Sequence, residues 1–328
     1  MNAFLYNLGP ESLPVGTPDE LCMSIMLALP AVCRRTLLPG TGSIRKFRHP
    51  ARRTAAYRRF EIPKKSGGVR MIMAPTGDLK DILTTVNSLL SLYWEPKHSY
   101  VHGFTSGRSV VSGAEPHVGK NYVFNLDLKD FFPSITKQMV ARGLERAGFD
   151  RRTARFLSEI CTVPGDDGRE ILPQGAPTSP LLSNISCMML DLRLAGLAAE
   201  FSLDYTRYAD DMTFSAQYNA FGPRGDFRSL METVIREEGF RINEKKTRLQ
   251  KRGSRQEVTG LTVCRKVNVS RKWIKDLRAQ IHRMETVGFT PAEYRSVCGK
   301  VGWIRQVRGA VPMYRKLRAR LRALPLPA

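Results

Sequence analysis

The sequence predicts an α+β fold with a ferredoxin-like sheet near its centre, and two observations lead to this prediction. The first is the order of elements. A short apolar strand at 122–126 precedes helical segments, a hairpin at 205–215, a helix at 226–238 and strand-like segments near 241–243 and 257–264. Strand, helix, hairpin, helix and strand succeed one another in this way in a ferredoxin-like sheet. The second is composition, which indicates a globular chain able to form such a packed fold, because 42% hydrophobic and 25% charged residues are ordinary for a globular chain of 328 residues.

The elements before the sheet begin with a helical segment at 1–33 and a loop or basic arm at 38–54 that is rich in Gly, Pro and Arg. Residues 60–75 place apolar strands on both sides of a Ser-Gly-Gly turn, which predicts a β-hairpin. Three cations lie near its tip: Lys64, Lys65 and Arg70. The apolar periodicity at 78–93 predicts a helix.

Two helical segments separate the central strand from the second hairpin. They cover 136–163 and 179–197, and a Ser-Pro pair marks the start of the second. The turn of the second hairpin falls at Ala209-Asp210, between two apolar strands. After the last strands the chain is helical again, in three segments: 270–286, 290–305 and 311–323.

The charge of the chain is unusual, with 52 Lys and Arg against 30 Asp and Glu and a net charge of +22. Residues 34–70 carry a net +11 and residues 265–328 a net +13, so the centre is close to neutral. Such an excess predicts a polyanionic partner, either nucleic acid or an anionic membrane surface. Basic runs are often solvated faces, but two of them around a centre with clustered acids favour a nucleic-acid clamp.

The sequence excludes several other classes of protein. No apolar run reaches the ~20 residues of a membrane span, so we expect no membrane partner. The apolar stretch at 21–32 is short and follows acids, which favours a buried helix over a secretory signal. The six cysteines form no Cys/His zinc pattern, and we expect them to be reduced in a cytoplasmic protein.

Three acids lie where a ferredoxin-like sheet would bring them together. Asp127 ends the central strand, and Asp210 and Asp211 lie at the turn of the hairpin. Carboxylates at close range repel one another, and divalent cations relieve that repulsion. Two such ions stabilise the attacking and leaving oxygens of an in-line phosphoryl transfer. An Asp-Asp pair can also be simple turn chemistry, but its position between apolar strands favours the metal site.

At these acids the sequence resembles the reverse transcriptases, and more narrowly the bacterial retron type. Five segments occur in the order of that family: 125–135 (NLDLKDFFPSI), 172–180 (LPQGAPTSP), 207–211 (RYADD), 239–247 (GFRINEKKT) and 258–260 (VTG). The resemblance implies a right-hand polymerase with fingers, a ferredoxin-like palm and a helical thumb. It divides the chain into an N-terminal extension and basic arm at 1–55, fingers and palm at 56–264, and thumb at 265–328.

A further retron segment lies before the first catalytic strand. Residues 113–117 read GAEPH where the family has Asn-Ala-x-x-His, so Gly113 replaces the Asn. This departure leaves other defence-associated bacterial reverse transcriptases open. We expect His117 to have a structural or RNA-contact role.

The resemblance also implies the roles of the metal site. Asp127, Asp210 and Asp211 would hold two Mg²⁺ ions, with the carbonyl of Leu128 as a further ligand and Mn²⁺ as a possible substitute. Val258, Thr259 and Gly260 would form the primer grip.

A nucleotide pocket is implied at Lys64, Lys65, Arg70, Phe132, Gln174, Gly175 and Lys246. Phe132 lies where the family places the aromatic that excludes a ribose 2′-OH, the group that distinguishes RNA from DNA. Its neighbour Phe131 is expected in the core. Lys246 matches the lysine that donates a proton to pyrophosphate, with Lys245 as the alternative.

The thumb is expected to hold nucleic acid through its cations, because phosphate contacts give affinity that does not depend on base sequence. These cations are Arg271, Lys272, Lys275, Arg278, Lys300, Arg305, Arg308 and Arg315. Trp273, Tyr294 and Trp303 are interleaved with them and are expected to be thumb core rather than stacking platforms.

Taken together, the residues and the resemblance predict an RNA-directed DNA polymerase that uses dNTPs to copy a cognate structured non-coding RNA into single-stranded DNA (msDNA). The family implies antiphage defence with a separate effector protein, and removal of template RNA by a host RNase H. Two other classes stay open. The first is an RNA-dependent RNA polymerase, which shares the palm acids, although Phe132 argues against it. The second is a non-catalytic RNA-binding protein, which is expected if the three acids do not converge.

Overall fold

The structure is a computed structural model that describes residues 18–22, 24–25, 44–64, 67–96, 98–222 and 226–324. Most of the segment predicted to be helical at 1–33 lies outside these residues. The first named elements are α1 (Pro50–Ala55), β1 (Tyr57–Pro63), β2 (Val69–Pro75) and α2 (Gly77–Tyr93). Strands β1 and β2 pair antiparallel with Pro63 opposite Val69, which confirms the predicted hairpin.

Of the loop or basic arm predicted at 38–54, the loop is wrong for the part that the structure describes. From residue 44 onward this part is largely helical, with a 3-10 turn at Lys46–Arg48 followed by α1. The reason is Arg53, which is fully buried and donates hydrogen bonds to the carbonyls of Phe47 and Arg48. It also forms an ion pair with Glu170. A buried and paired arginine fixes this segment against the body of the protein.

The next elements lead into the central sheet and include its first strand. They are α3 (Val110–Ala114), β3 (Tyr122–Asp127), α4 (Phe131–Ser134), α5 (Lys137–Arg146) and α6 (Arg151–Cys161). The helix predicted at 136–163 is therefore two helices. Gly148 has φ +102° between them, and the Asp150 side chain accepts from the amides of Arg152 and Thr153 to cap α6.

After a two-strand hairpin, β4 (Val163–Pro164) and β5 (Glu170–Ile171), come α7 (Ser179–Ser186) and α8 (Met188–Glu200). Helices α7 and α8 meet at an angle of 51°. Among the described residues, no single helix is both long enough and apolar enough to span a membrane. This bent pair meets the two criteria only when its helices are taken together.

The central sheet has four antiparallel strands in the order β6-β7-β3-β8, which confirms the ferredoxin-like prediction. The remaining bounds are β6 (Asp204–Tyr208), β7 (Asp211–Ala216), α9 (Asp226–Glu237) and β8 (Arg248–Lys251). The fourth strand is thus at 248–251, and of the strand predicted at 241–243 the structure keeps a single antiparallel bridge between Ile242 and Leu128. Those residues instead close over the end of β3, where the Asn243 amide donates to the Asp127 carbonyl at 2.8 Å.

The chain ends in a short hairpin and three helices, as predicted. They are β9 (Glu257–Val258), β10 (Leu261–Thr262), α10 (Arg271–Val287), α11 (Pro291–Arg308) and α12 (Pro312–Arg322). The three helices share an apolar core that includes Leu277, Ile304 and Leu317. The predicted packing roles are confirmed: Trp273 and Tyr294 pack against this core, and Trp273 and Trp303 pack against the cluster around β9 and β10.

Candidate active site

The three acids converge at one end of the sheet. Asp127 is the last residue of β3 and lies opposite Asp211, the first residue of β7, in the strand register. Asp210 is in the turn between β6 and β7, and its carbonyl accepts the amide hydrogen of Leu128 at 3.0 Å. The structure therefore brings together the three acids that were predicted to form a metal site.

A buried ion pair supports the turn that carries Asp210. Arg207 is fully buried, and its guanidinium pairs with both carboxylate oxygens of Asp191 on α8, at 2.6 Å each. It also donates to the Ala209 carbonyl at 3.1 Å and to Asn184 Oδ1 at 3.1 Å. Ala209 has φ +56°, so this contact supports a strained turn. Sequence reasoning missed Asp191, although a charge within an apolar helix was a signal.

Burial and mutual repulsion shape the protonation of the acids. Asp211 is exposed at the surface, yet the surrounding protein removes part of its hydration and raises its pKa to about 6, helped by the charges of Asp210 and Asp127. Burial and the charge of Asp127 also raise the pKa of Asp210 above its ordinary range. Both carboxylates are therefore harder to ionise than free aspartates.

Asp127 is engaged through both of its oxygens. The Lys246 ammonium lies 2.8 Å from Oδ2, and the Asn243 side-chain amide donates to Oδ1 at 3.0 Å. Of the two lysines considered, Lys246 is thus the one that contacts the acids. Sequence reasoning missed Asn243, which lies three residues before Lys246 in the same segment.

These residues match the ligand preference of a hard divalent cation. The donor set is made of oxygens, and the repulsion that raises the pKa values of Asp210 and Asp211 is what such an ion relieves. In the part of the chain that the structure describes, no three or more His, Cys, Asp or Glu side chains are arranged closely enough to hold a metal ion. The Lys246 ammonium, 2.8 Å from Asp127 Oδ2, places one positive charge beside these carboxylates.

The first hairpin docks beside these acids through the segment 174–175. The Met73 amide donates to the Gln174 carbonyl at 2.8 Å. Gly175 has φ +124°, and a Cβ there would lie 2.9 Å from both Ile72 Cγ2 and the Met73 carbonyl oxygen. Only glycine permits this close approach.

The three cations predicted near the hairpin tip differ in whether the structure describes them and in whether their charge affects the acids. Arg70 is exposed, and its charge opposes part of the rise in the pKa of Asp210. Lys64 is exposed as well, and Lys65 lies outside the described residues.

Phe132 lies in an aromatic group next to the catalytic strand. Phe131 is buried and stacks on Phe240 with ring centres 5.9 Å apart, which confirms its core position. Phe132 is half-buried and contacts Phe131 at 5.3 Å and Phe104 at 6.2 Å between ring centres.

The predicted primer grip is the turn of the β9–β10 hairpin. Val258 is buried, and Thr259 and Gly260 have φ values of +47° and +83°. The Thr259 hydroxyl donates to the Val110 carbonyl of α3 at 3.4 Å. The grip is therefore fixed to the segment that carries the retron-like 113–117 box.

His117 of that box is structural, and an RNA-contact role does not match its burial. Its Nδ1 and Nε2 each lie 2.7 Å from a hydroxyl, Ser215 Oγ on β7 and Thr206 Oγ1 on β6. Burial lowers its pKa to about 3. At Gly113, an added Cβ would lie 3.3 Å from His102 Cγ, so the His102 ring limits the space for a larger residue.

The thumb cations divide into exposed and engaged side chains. The exposed ones are Arg271, Lys272, Lys275, Arg278, Arg305 and Arg315. Arg308 is half-buried, and the Lys300 ammonium donates to Gln280 Oε1 at 2.7 Å between α11 and α10. Lys300 therefore links two helices of the thumb.

Comparison with known proteins gives one consistent result. Residues 62–281 match the family model described as "Reverse transcriptase (RNA-dependent DNA polymerase)". The retron Mx65 reverse transcriptase of Myxococcus xanthus is 41% identical over 249 residues, covering 71% of this chain and 57% of that protein. The retron Ec86 reverse transcriptase of Escherichia coli is 37% identical over 258 residues, covering 77% of this chain and 74% of that protein.

A third relative, the retron Mx162 reverse transcriptase of M. xanthus, is 37% identical over 257 residues and is covered over 52% of its length. The match thus spans little more than half of the two M. xanthus relatives and three quarters of the E. coli one. Both the family model and these identities point to one group of enzymes. The chain belongs to the reverse transcriptase family and, within it, to the retron reverse transcriptases.

Proposed function

We propose that this protein is an RNA-directed DNA polymerase that copies a cognate structured RNA into single-stranded DNA. The observation that supports this most directly is the convergence of Asp127, Asp210 and Asp211 at one sheet end, in a chain of the retron family. Two divalent ions, Mg²⁺ or in its place Mn²⁺, would be held by these carboxylates and the Leu128 carbonyl. They would stabilise the attacking and leaving oxygens of nucleotidyl transfer.

The residues around the acids would handle the incoming nucleotide. Arg70, with Lys64 or Lys65, would neutralise the triphosphate from the hairpin side. Gln174 and Gly175 would lie along the nucleotide, at the segment on which the hairpin docks.

Lys246 would donate a proton to the leaving pyrophosphate. Its ammonium is already 2.8 Å from Asp127, and the hydrogen bond and charge of Asp127 outweigh burial and raise its pKa above the ordinary value. It therefore carries the proton that a general acid needs at neutral pH.

Sugar choice distinguishes this function from that of an RNA-dependent RNA polymerase. Phe132 lies next to the catalytic strand, where a bulky ring would leave no room for a ribose 2′-OH. We therefore expect incorporation of dNTPs rather than rNTPs. Comparable use of the two by the purified enzyme would favour the RNA polymerase instead.

The remaining parts would hold the nucleic acid. We divide the chain into an extension at 1–55, fingers and palm at 56–264 and thumb at 265–328, with the primer grip at 258–260. We place the protein in the cytoplasm, in antiphage defence with a separate effector protein, and with a host RNase H removing template RNA.

The test is to express the gene with several hundred base pairs of its native flanks and sequence the nucleic acid that co-purifies. The D210N/D211N double variant removes the acids. A matched control is D166N/D167N, because Asp166 and Asp167 form a second Asp-Asp pair in an exposed turn. A discrete DNA joined to one flank-encoded RNA, lost only in D210N/D211N, is the expected result. RNA without DNA in every sample would contradict constitutive DNA synthesis and favour an RNA-binding function.

A further inference from the structure

Phe104 has an unusual backbone for an aromatic residue. Its φ is +58°, in the left-handed region that non-glycine residues seldom occupy. Its side chain is 41% exposed, although large apolar rings tend to be buried. Strain of this kind persists only where the surroundings impose it, and it concentrates at functional sites.

The loop that presents Phe104 is fixed against the candidate active site. A Cβ on Gly103 would lie 2.4 Å from the Ala209 amide nitrogen, so the loop touches the backbone of the catalytic turn. The His102 amide donates to the Arg207 carbonyl at 2.8 Å, and the Gly103 carbonyl accepts from the Asn184 side chain at 2.9 Å. Asn184 belongs to α7, the helix that follows the nucleotide-pocket segment. The loop therefore joins the catalytic turn to that helix.

The Phe104 ring meets Phe132 with centres 6.2 Å apart and planes tilted by 45°. Phe132 also contacts Phe131, which is buried and stacked on Phe240. Phe132 thus has one aromatic neighbour anchored in the core and one presented by the strained loop. Side chains that are packed by their neighbours keep the geometry that discrimination between similar ligands requires.

We propose that Phe104 is a positioning residue for sugar selection, which holds the Phe132 ring where it excludes the 2′-OH of an incoming ribonucleotide. This inference rests on the proposed function, because it assumes that the enzyme incorporates dNTPs. The strained φ keeps the Phe104 ring exposed beside Phe132. Selection for the 2′-deoxy sugar therefore depends on both rings, and Phe104 acts through Phe132 rather than on the reacting atoms.

The decisive variant is Phe104→Gly. Glycine removes the ring and also relieves the positive φ, so the fold is expected to keep or gain thermal stability. The kcat/KM ratio of dNTP over rNTP on a primed RNA template is expected to fall about 2- to 10-fold, the range that one aromatic contact supplies. Ser202→Gly is the matched control, since Ser202 has φ +48° in the turn after α8. It relieves the same backbone strain and should leave the ratio unchanged.

A double variant shows whether Phe104 acts through Phe132. Phe132→Ala alone should reduce the dNTP/rNTP ratio, and adding Phe104→Gly should reduce it no further. An additional fall in the double variant would overturn this route of action. Phe104→Leu keeps apolar bulk without a flat ring. If Phe104→Gly does not fold, the dNTP/rNTP ratio of Phe104→Leu is compared with that of the wild type instead.

The outcomes separate this inference from the proposed function. A wild-type enzyme that prefers dNTPs, together with Phe104→Gly or Phe104→Leu that keeps the wild-type ratio, would overturn the inference and leave the polymerase standing. A wild-type enzyme that incorporates no dNTP on any primed template would instead contradict the proposed function itself.

Discussion

Asp127 shows how single side chains prepare the catalytic end of the sheet. Its Oδ1 accepts from Asn243 and its Oδ2 from Lys246, so the carboxylate is held in place before any ion arrives. Both partners come from the segment after α9, whose backbone also bonds to β3 through the Asn243 amide. Partners that orient a metal ligand in this way affect metal affinity and activity strongly.

We expect Asn243→Ala to reduce kcat by about 10-fold or more and to raise the metal concentration that gives half-maximal activity. The physical reason is that Oδ1 loses the donor that orients it. Steady-state extension assays across a Mg²⁺ series check this. Asn121→Ala is a suitable control, because Asn121 lies just before the opposite end of β3 and its side chain contacts Gln217. Unchanged metal dependence in Asn243→Ala would contradict the orienting role.

His117 predicts a pH dependence of stability. Its folded pKa is lowered to about 3 by burial, with Lys120 and His102 opposing the charge further. An unfolded histidine titrates near 6.5, so below that pH the unfolded state binds a proton that the folded state does not. Stability from this residue is therefore present above about pH 6.5 and is lost as pH falls.

The expected loss between pH 7 and pH 5 is about 2 kcal/mol of unfolding free energy for this one residue. Denaturant unfolding of wild type and His117→Gln at both pH values measures it. The stability difference between the two proteins should shrink by that amount at pH 5. A difference that does not change with pH would show that the pKa of His117 is the same in the folded and the unfolded protein.

At the scale of elements, the pair of Arg207 and Asp191 joins strand β6 to helix α8 beneath the catalytic turn. Both side chains are buried, and the carboxylate also accepts from the Tyr205 hydroxyl at 2.9 Å. A buried charge is tolerated because its partner and the surrounding donors compensate for lost hydration. The turn that holds Asp210 thus depends on a strand-to-helix contact.

Arg207→Met is expected to destabilise the protein by about 3–5 kcal/mol, because it leaves the Asp191 carboxylate buried without a counter-ion. The double variant Arg207→Met/Asp191→Leu should recover part of that loss, since it removes both charges together. Urea unfolding of the two single variants and the double variant gives the coupling free energy. Additive losses would show that the two charges do not stabilise each other.

At the scale of the whole molecule, the basic excess lies in two segments, and residues 265–328, which include the thumb helices, carry a net +13. Arg271, Lys275 and Arg278 are exposed on α10, and Leu277 and Ile281 of the same helix are buried in the thumb core. The apolar side of the helix stabilises the fold, and we expect the exposed charged side to contact phosphates. Such contacts release counter-ions and make binding depend on salt.

Replacing Arg271, Lys275 and Arg278 together by Gln should flatten the slope of log K against log salt by about 2 to 3 for an RNA–DNA duplex. Binding titrations over a range of KCl concentrations measure the slope. The matched control replaces three exposed arginines of α6, Arg151, Arg152 and Arg155. Equal flattening in both triple variants would show general attraction rather than a thumb contact.

The sequence by itself determined the features that depend on local chemistry. The hairpin around Asp210 follows from apolar alternation on both sides of a turn, and the three thumb helices follow from apolar periodicity. The order of the elements predicted the ferredoxin-like sheet. The position of Asp127 at a strand end predicted that it would lie beside Asp211. Periodicity and turn preference act over a few residues, so a single sequence reveals them.

Only the tertiary structure decided which distant residues serve those elements. Strand β8 pairs with β3 rather than the expected segment at 241–243, because that segment closes over Asp127 instead. Arg53 is a buried ion-pair partner rather than part of a basic arm. Likewise, Asp191 reaches Arg207 and Phe104 reaches Phe132 only after the chain has folded. Each of these contacts joins residues from different elements, and no local pattern specifies which elements meet.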